Sequence, residues 1–188
     1  GDDDGSITIT DDDTATITIG STTLAEDGTP ATVTVSTSGQ VDTGYTFDVV
    51  TTDGSAGSSQ GDYTSTTTGF SVAAFSQGAL ADFSVAITDD SVVEVTENLL
   101  ATINNLNSQG RSVELLAAGV ITITDADLAS LSIDDITFIE GDSDKTLAQW
   151  TVTLDTEVDV PVTVDYTTLA GTATSATTGL SGDQDYLD

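Results

Sequence analysis

The chain has 188 residues, of which 32 are Asp or Glu and only two, Arg111 and Lys145, are basic, giving a formal net charge of −30. That balance excludes nucleic-acid binding and docking on an anionic membrane surface, both of which need Lys and Arg. With neither His nor Cys in the chain, it also excludes Ser-His-Asp triads, thiol nucleophiles and zinc sites built on those ligands. What remains is the chemistry of carboxylates, hydroxyls and backbone, and carboxylate oxygens are hard ligands suited to Ca2+ or Mg2+. A hydrophobic fraction of 37% with 36 Thr reads as an all-β globular chain and not as a disordered acidic tail. No run of 18 apolar residues is present, so no membrane-spanning helix or membrane insertion is expected. The chain does not begin with Met and reads as an excerpt of a longer protein.

The sequence repeats itself. Gly5-Ser6-Ile7-Thr8-Ile9-Thr10-Asp11-Asp12-Asp13 returns as Gly119-Val120-Ile121-Thr122-Ile123-Thr124-Asp125-Ala126-Asp127, at an offset of 114. Glu26 falls on Glu140 at the same offset. Asp48-x-x-Thr51 falls on Asp165-x-x-Thr168 at an offset of 117, and Asp62-Tyr63 on Asp185-Tyr186 at 123. Loop insertions produce such drift. Residues 1–13 therefore read as the last strand of a preceding repeat, 14–127 as one complete repeat, and 128–188 as the first half of a following one. A period near 114 residues is too long for a solenoid and suits a bead-like array of sandwich domains.

Within the full repeat, strict alternation marks the strands. In chain order the inward positions are Ala15, Ile17 and Ile19; Ala31, Val33 and Val35; Tyr45, Phe47 and Val49; Phe83, Val85 and Ile87; Leu99, Ala101 and Ile103; and Ile121 and Ile123. A further strand near Phe70 to Phe75 brings the number to about seven, separated by turns at Glu26-Asp27-Gly28, Ser38-Gly39, Asp53-Gly54, Gln77-Gly78 and Gln109-Gly110. A period of two with one polar face is the pattern of antiparallel strands packed on one side. The expected fold is all-β, an Ig-like Greek-key two-sheet β-sandwich in tandem repeats. In the following repeat, Trp150 is in register with Ala148, Val152 and Leu154 and reads as core.

The acids gather at strand ends. Glu26 follows the first strand, Asp62 opens a loop, Asp89, Asp90, Glu94 and Glu97 form a run, and Asp125 and Asp127 follow the last strand. In a Greek-key sandwich, loops far apart in sequence meet at one pole. Two carboxylates at a separation of about 5 Å repel by about 3 kcal/mol at an effective dielectric near 20. Such a convergence opposes folding unless a divalent cation reverses the sign, and Ca2+ accepts six to eight oxygens. Any one of these acids alone reads as a solvated turn residue, as do Asp2-Asp3-Asp4, Asp134-Asp135 and Asp142-x-Asp144. Paired carboxylates can hydrolyse glycosides, but these acids are too many and too exposed, and no aromatic-lined cleft is suggested. No enzymatic activity is expected.

Five separated motifs resemble those of the Calx-beta repeat, the module of the regulatory calcium-binding domains of sodium–calcium exchangers and of many large bacterial surface proteins. They are Glu26 after the first strand, the turn Asp53-Gly54-Ser55-Ala56, the pair Asp62-Tyr63, the run Asp89-Asp90-x-x-x-Glu94-x-x-Glu97, and the terminal Asp125-x-Asp127. The resemblance implies Ca2+ as the bound ion, with Glu26, Asp62, Asp89, Asp90, Glu94, Glu97, Asp125 and Asp127 as ligands and Val92 as a carbonyl donor. It departs at Ala126, where family members with full sites often carry a third consecutive acid. Asp11, Asp12 and Asp13 keep the triple acid of the preceding repeat, and Glu140 and Asp185 match two ligands of the following one.

The function expected on this basis is a calcium-binding structural module of an extracellular bacterial adhesin or surface fibre, in which Ca2+ folds and stiffens a tandem array. Its partners would be neighbouring repeats of the same chain and other copies in a fibre, with no nucleic acid. The alternatives are a calcium-sensing regulatory domain, and a filament-forming or adhesive subunit that binds through exposed loops or edge strands.

Overall fold

The computed structural model describes residues 4–27, 30–139, 146–176 and 185–187. Among these residues every regular element is a strand. The stretch from Thr14 to Ala25 breaks at Gly20-Ser21 into β1 (Thr14–Ile19) and β2 (Thr22–Ala25). The break moves the chain from one sheet to the other. The Gly20 amide donates to the Thr34 carbonyl at 2.9 Å, and Ser21 Oγ accepts the Val120 amide at 2.9 Å. Gly119 is glycine for a steric reason, since a Cβ there would lie 2.3 Å from the Gly20 carbonyl oxygen.

The remaining strands of the sandwich are β3 (Ala31–Val33), β4 (Val35–Ser38), β5 (Tyr45–Asp53), β6 (Thr67–Val72), β7 (Gly78–Ala79), β8 (Phe83–Val85), β9 (Glu97–Asn107), β10 (Ser112–Ala117) and β11 (Gly119–Thr124). One sheet has the order β10-β1-β4-β7, and β3, separated from β4 by Thr34 alone, pairs with β8. The other has the order β2-β11-β9-β5-β6. The inward residues of both sheets interdigitate. Ile17, Val35, Tyr45, Phe47, Val49, Phe83, Val85, Leu99 and Ile121 are all fully buried. Each such side chain contributes roughly 1.5–3 kcal/mol relative to exposure. Phe47 lies between Tyr45 and Phe70, with ring centroids 6.3 and 5.3 Å away.

The all-β sandwich agrees with the sequence reading, and the details correct it in four places. Three strands, β2, β7 and β10, were not anticipated: β7 is two residues long where a turn was expected, and β10 reads Ser-Val-Glu-Leu-Leu-Ala and buries no residue fully. The pairing is not wholly antiparallel: β1 runs parallel to β10 and β2 parallel to β11, a result of the crossing at Gly20. Strand β6 stops at Val72, and Phe75 is 65% exposed with φ of 59°. Ile87 lies beyond β8 and forms an isolated bridge with Tyr63.

Outside the sandwich, residues 4–13 carry no strand, and Ile7 and Ile9 are exposed. On the other side, β12 (Leu131–Ile133) pairs antiparallel with β13 (Val152–Leu154), and β14 (Ser175–Ala176) pairs parallel with β15 (Tyr186–Leu187). Trp150 is not core as its register implied but 47% exposed. The β12–β13 pair is a two-stranded ladder, and among the described residues no second sheet is packed over it.

Candidate metal centre

Two ladders and two loops deliver acids to one pole. The β2–β11 register ends on Ala25 opposite Thr124, so Glu26 and Asp125 leave the sheet side by side. The Glu26 amide donates to the Thr124 carbonyl at 3.2 Å, and Glu26 Oε1 accepts the Ala126 amide at 3.2 Å. The β9–β11 register sets Glu97 opposite Ile123. The loop before β9 is fastened to the same corner, because Asp125 Oδ2 accepts the Glu94 amide at 3.1 Å.

Asp62 arrives through the turn after β5. Asp53 Oδ1 accepts the Tyr63 hydroxyl and the Ser58 amide, and Asp62 Oδ2 accepts the Gly57 amide at 2.7 Å. Gly54 is forced by close approach, since a Cβ would lie 2.4 Å from the Asn98 carbonyl oxygen. The motifs Asp53-Gly54-Ser55-Ala56 and Asp62-Tyr63 therefore form one clamp. It holds Asp62 on one side and Asn98, the neighbour of Glu97, on the other.

Glu26, Asp62, Asp90, Glu94, Glu97 and Asp125 line a single depression at this pole. Carboxylate oxygens of Glu26, Asp125 and Asp127 all lie within 4.8 Å of one another. Asp89 is close enough to act on the charge of Asp127. All eight carboxylates that the sequence pointed to in the full repeat thus meet at one place. Val92 contacts the cluster through its amide, which donates to Asp90 Oδ1 at 2.7 Å.

The others do not join it. Asp11, Asp12 and Asp13 precede β1 at the opposite pole, where the Asp13 amide donates to Asp11 Oδ1 at 3.1 Å. Asp185 accepts the Thr174 amide at 2.8 Å beside β14 and β15. Glu140 lies outside the described residues. Two acids that the sequence did not single out do reach the cluster. Asp27 acts on Asp127, and Asp159, from the following repeat, acts on Glu94 and Glu97. Asp27 was legible as the neighbour of Glu26; nothing in the spacing marked Asp159.

The electrostatics are those of unneutralised crowding. Glu26 is the one acid buried among the described residues, at 4% exposure. Burial first, then the adjacent Asp125 and Glu94, pushes its carboxyl up to about 7. Glu97 is pushed up to about 7 by burial and by the charges of Asp62, Glu94 and Asp159. Glu94 and Asp127 are raised as well, in both cases chiefly by burial and then by neighbouring acids. Asp125 moves the other way, because the amides of Asp127 at 2.7 Å and Glu94 favour its ionised form.

Among the described residues no basic side chain relieves this. Arg111 sits at the opposite pole, paired with Asp42, and Lys145 lies outside the described residues. Asp127 Oδ2 is buried without any hydrogen-bond partner. An all-oxygen donor set, an orphaned carboxylate oxygen and the lack of a local countercharge fit a hard divalent cation, Ca2+ above the smaller and more rigid Mg2+.

A two-sheet sandwich with a polar acid cluster defines a class of cation-binding β-domain, and the comparisons give it a family. Residues 10–129 match the Calx-beta domain, which is more than half of the chain, and the chain belongs to the Calx-beta domain family. The fold resembles the crystal structure of the apo-form Calx CBD1 domain, with a TM-score of 0.52 and 21% identity over 61% of this chain and 99% of that one. It also resembles the calcium binding domain CBD12 of CALX1.1 and CBD12 from CALX1.2, each with a TM-score of 0.50 and 22% identity. Those two matches cover 59% and 60% of this chain and 44% of theirs, so the chain spans less than half of their length. At such identities the likeness is one of fold. No curated protein matches the sequence.

Proposed function

We propose that residues 14–127 bind Ca2+ at the acidic pole and act as a structural repeat, in which the ion supplies the countercharge that the sequence withholds. The observation that carries this reading is the convergence of Glu26, Asp125 and Asp127 within 4.8 Å, with no basic side chain among the described residues of that pole. Glu26, Asp62, Asp89, Asp90, Glu94, Glu97, Asp125 and Asp127 would hold the ion or ions. When bound, Ca2+ offsets mutual repulsion. The chain's own part is to hold the carboxylates in place through the Asp53–Tyr63 clamp and the amides that Asp125 and Glu26 accept. No catalytic role is assigned.

The setting we favour is an extracellular bacterial adhesin or surface fibre. The acidic, Lys-poor, Thr-rich composition and the repeats at a 114-residue offset support it. Extracellular Ca2+ is compatible with weak sites of about 10⁻⁴–10⁻³ M. The test is melting of the full chain with Ca2+ and with chelator, followed by calorimetric titration. An unchanged Tm removes the calcium reading. Sub-micromolar affinity replaces the structural module with a sensor, which is the function of the regulatory exchanger domains that the sequence resembles.

A further inference from the structure

Residues 5–10 read Gly-Ser-Ile-Thr-Ile-Thr and match β11, Gly-Val-Ile-Thr-Ile-Thr, at every position but the second. In β11 the two isoleucines, Ile121 and Ile123, are buried, and the strand lies between β2 and β9. Their counterparts Ile7 and Ile9 are 90% exposed, in a segment that has no strand partner among the described residues. Gly119 must be glycine because the β1–β2 crossing approaches it so closely, whereas Gly5 has nothing within 4 Å of an added carbon and keeps the glycine nonetheless. The segment thus has the features of a last strand and lacks only a sheet to join.

The following repeat supplies the converse. Its β12–β13 ladder repeats the β1–β4 register residue for residue: Leu131, Ser132 and Ile133 face Leu154, Thr153 and Val152, as Ile17, Thr18 and Ile19 face Thr37, Ser36 and Val35. At the 114-residue offset, residues 136–139 are the counterpart of β2, yet they carry no strand, and Phe138 and Ile139 are exposed. In the full repeat β2 is an edge strand whose one neighbour in the sheet is β11. Among the described residues, nothing takes the place of β11 beside residues 136–139.

We propose that residues 5–10 of one copy add as a strand to residues 136–139 of a second copy, parallel and in the β11–β2 register, so that copies of this chain join head to tail. Ile7, Thr8, Ile9 and Thr10 would lie opposite Ile136, Thr137, Phe138 and Ile139, as Ile121, Thr122, Ile123 and Thr124 lie opposite Thr22, Thr23, Leu24 and Ala25. The contact buries two exposed isoleucines and forms a parallel backbone ladder. The donor precedes β1 at one pole of the full repeat, and the acceptor follows the acids of the other. The tether from Thr10 to Thr14 spans about 13 Å, while residues 14–25 run about 40 Å from pole to pole, so the partner is a second copy. Donor and acceptor are different surfaces, so the contact is heterologous and propagates as an open chain or closes as a ring. The net charge of −30 on each copy opposes it, and salt weakens that opposition. The proposal does not depend on the calcium reading.

The experiment uses the full chain, which has no native cysteine. Thr8 and Thr137 are the counterparts of Thr122 and Thr23, which face each other across the β11–β2 ladder, a placement that a disulfide can bridge. Chain carrying Thr8→Cys is mixed with chain carrying Thr137→Cys under mild oxidation. Thr8→Cys mixed with Ser132→Cys is the control, because Ser132 is also exposed but lies in β12. The expected result is a mixed disulfide of two-chain mass, roughly tenfold more abundant with Thr137→Cys than with Ser132→Cys. Adding Ile7→Asp and Ile9→Asp to the donor chain should lower it to the control level, and salt should raise it. A chain carrying both Thr8→Cys and Thr137→Cys should give a ladder of linked copies. Equal yields at Thr137→Cys and Ser132→Cys, or a yield that Ile7→Asp and Ile9→Asp leave unchanged, overturn the proposal. So does a double-cysteine chain that closes only on itself.

Discussion

Glu26 precedes Ala126 by 100 residues, yet its Oε1 accepts the Ala126 amide at 3.2 Å, which ties the exit of β2 to the exit of β11. The same side chain is the buried acid of the cluster, so its hydrogen bond and its charge have opposite consequences for the metal-free fold. Glu26→Gln separates them, because the amide oxygen can still accept from Ala126. In chelator the variant should melt higher by about 4 °C, the shift that ~1 kcal/mol produces in a domain of this size. In saturating Ca2+ it should melt lower than the parent, with affinity reduced roughly tenfold through loss of a charged ligand. Paired scanning calorimetry with and without chelator checks both signs.

Proton binding should replace part of what the cation does. Glu26 and Glu97 have carboxyls pushed up to about 7 in the folded chain, against an ordinary value of 4.5. Between those limits the folded state holds more protons than the unfolded one. The stability they contribute is therefore complete below pH 4.5 and is lost as pH rises through 7. Metal-free chain should melt higher at pH 5 than at pH 8, and saturating Ca2+ should reverse the order. The double variant Glu26→Gln, Glu97→Gln should flatten the metal-free slope; a slope unchanged from the parent would place the titration elsewhere.

The clamp that positions Asp62 is sensitive to a single methyl group. In Gly54→Ala the new carbon would lie 2.4 Å from the Asn98 carbonyl oxygen and 2.5 Å from its Oδ1. The strand start that carries Glu97 must then shift. Overpacking of this kind costs roughly 1–3 kcal/mol, and calorimetry should record weaker Ca2+ binding beside the lower Tm. Gly171→Ala, where nothing lies within 4 Å of the added carbon, is the control and should change neither.

The core should respond without regard to calcium. Phe47 is 1% exposed and stacks against Phe70 at an interplanar angle of 8°. Phe47→Ala should cost about 3–5 kcal/mol. Denaturant titrations in Ca2+ and in chelator should show similar losses, unlike the acid variants, whose effect changes sign.

Much of this was legible in the sequence because the inward residues of β5, β9 and β11 alternate without error, so their faces could be read one residue at a time. The acids of the full repeat were legible for a related reason: each follows or precedes a strand, and strand ends meet at poles. The parts that were hidden depend on contacts that leave no local periodicity. Thr22–Ala25 read as part of the first strand because only Gly20 and Ser21 intervene, and the crossing to the other sheet shows only in the shift of the inward position from Ile17 and Ile19 to Leu24. Strand β10 is half-exposed along its length, so its alternation is faint. Asp159 belongs to a loop whose partner, Val93, lies in another repeat, and no spacing within either repeat points to it. Trp150 misled because register gives a face but does not supply the sheet that would cover it.

The crossing at Gly20 also bears on how a repeat transmits force. Because the chain changes sheets there, β2 lies parallel to β11, with Thr22, Thr23, Leu24 and Ala25 registered on Ile121, Thr122, Ile123 and Thr124. Tension applied through Thr14 at one pole and Asp125 at the other pulls these two strands past each other along their length. Their backbone bonds are then strained together, in shear, where an antiparallel hairpin would unzip one bond at a time. The break that makes β1 and β2 two strands is thus also what lets the repeat resist being drawn out.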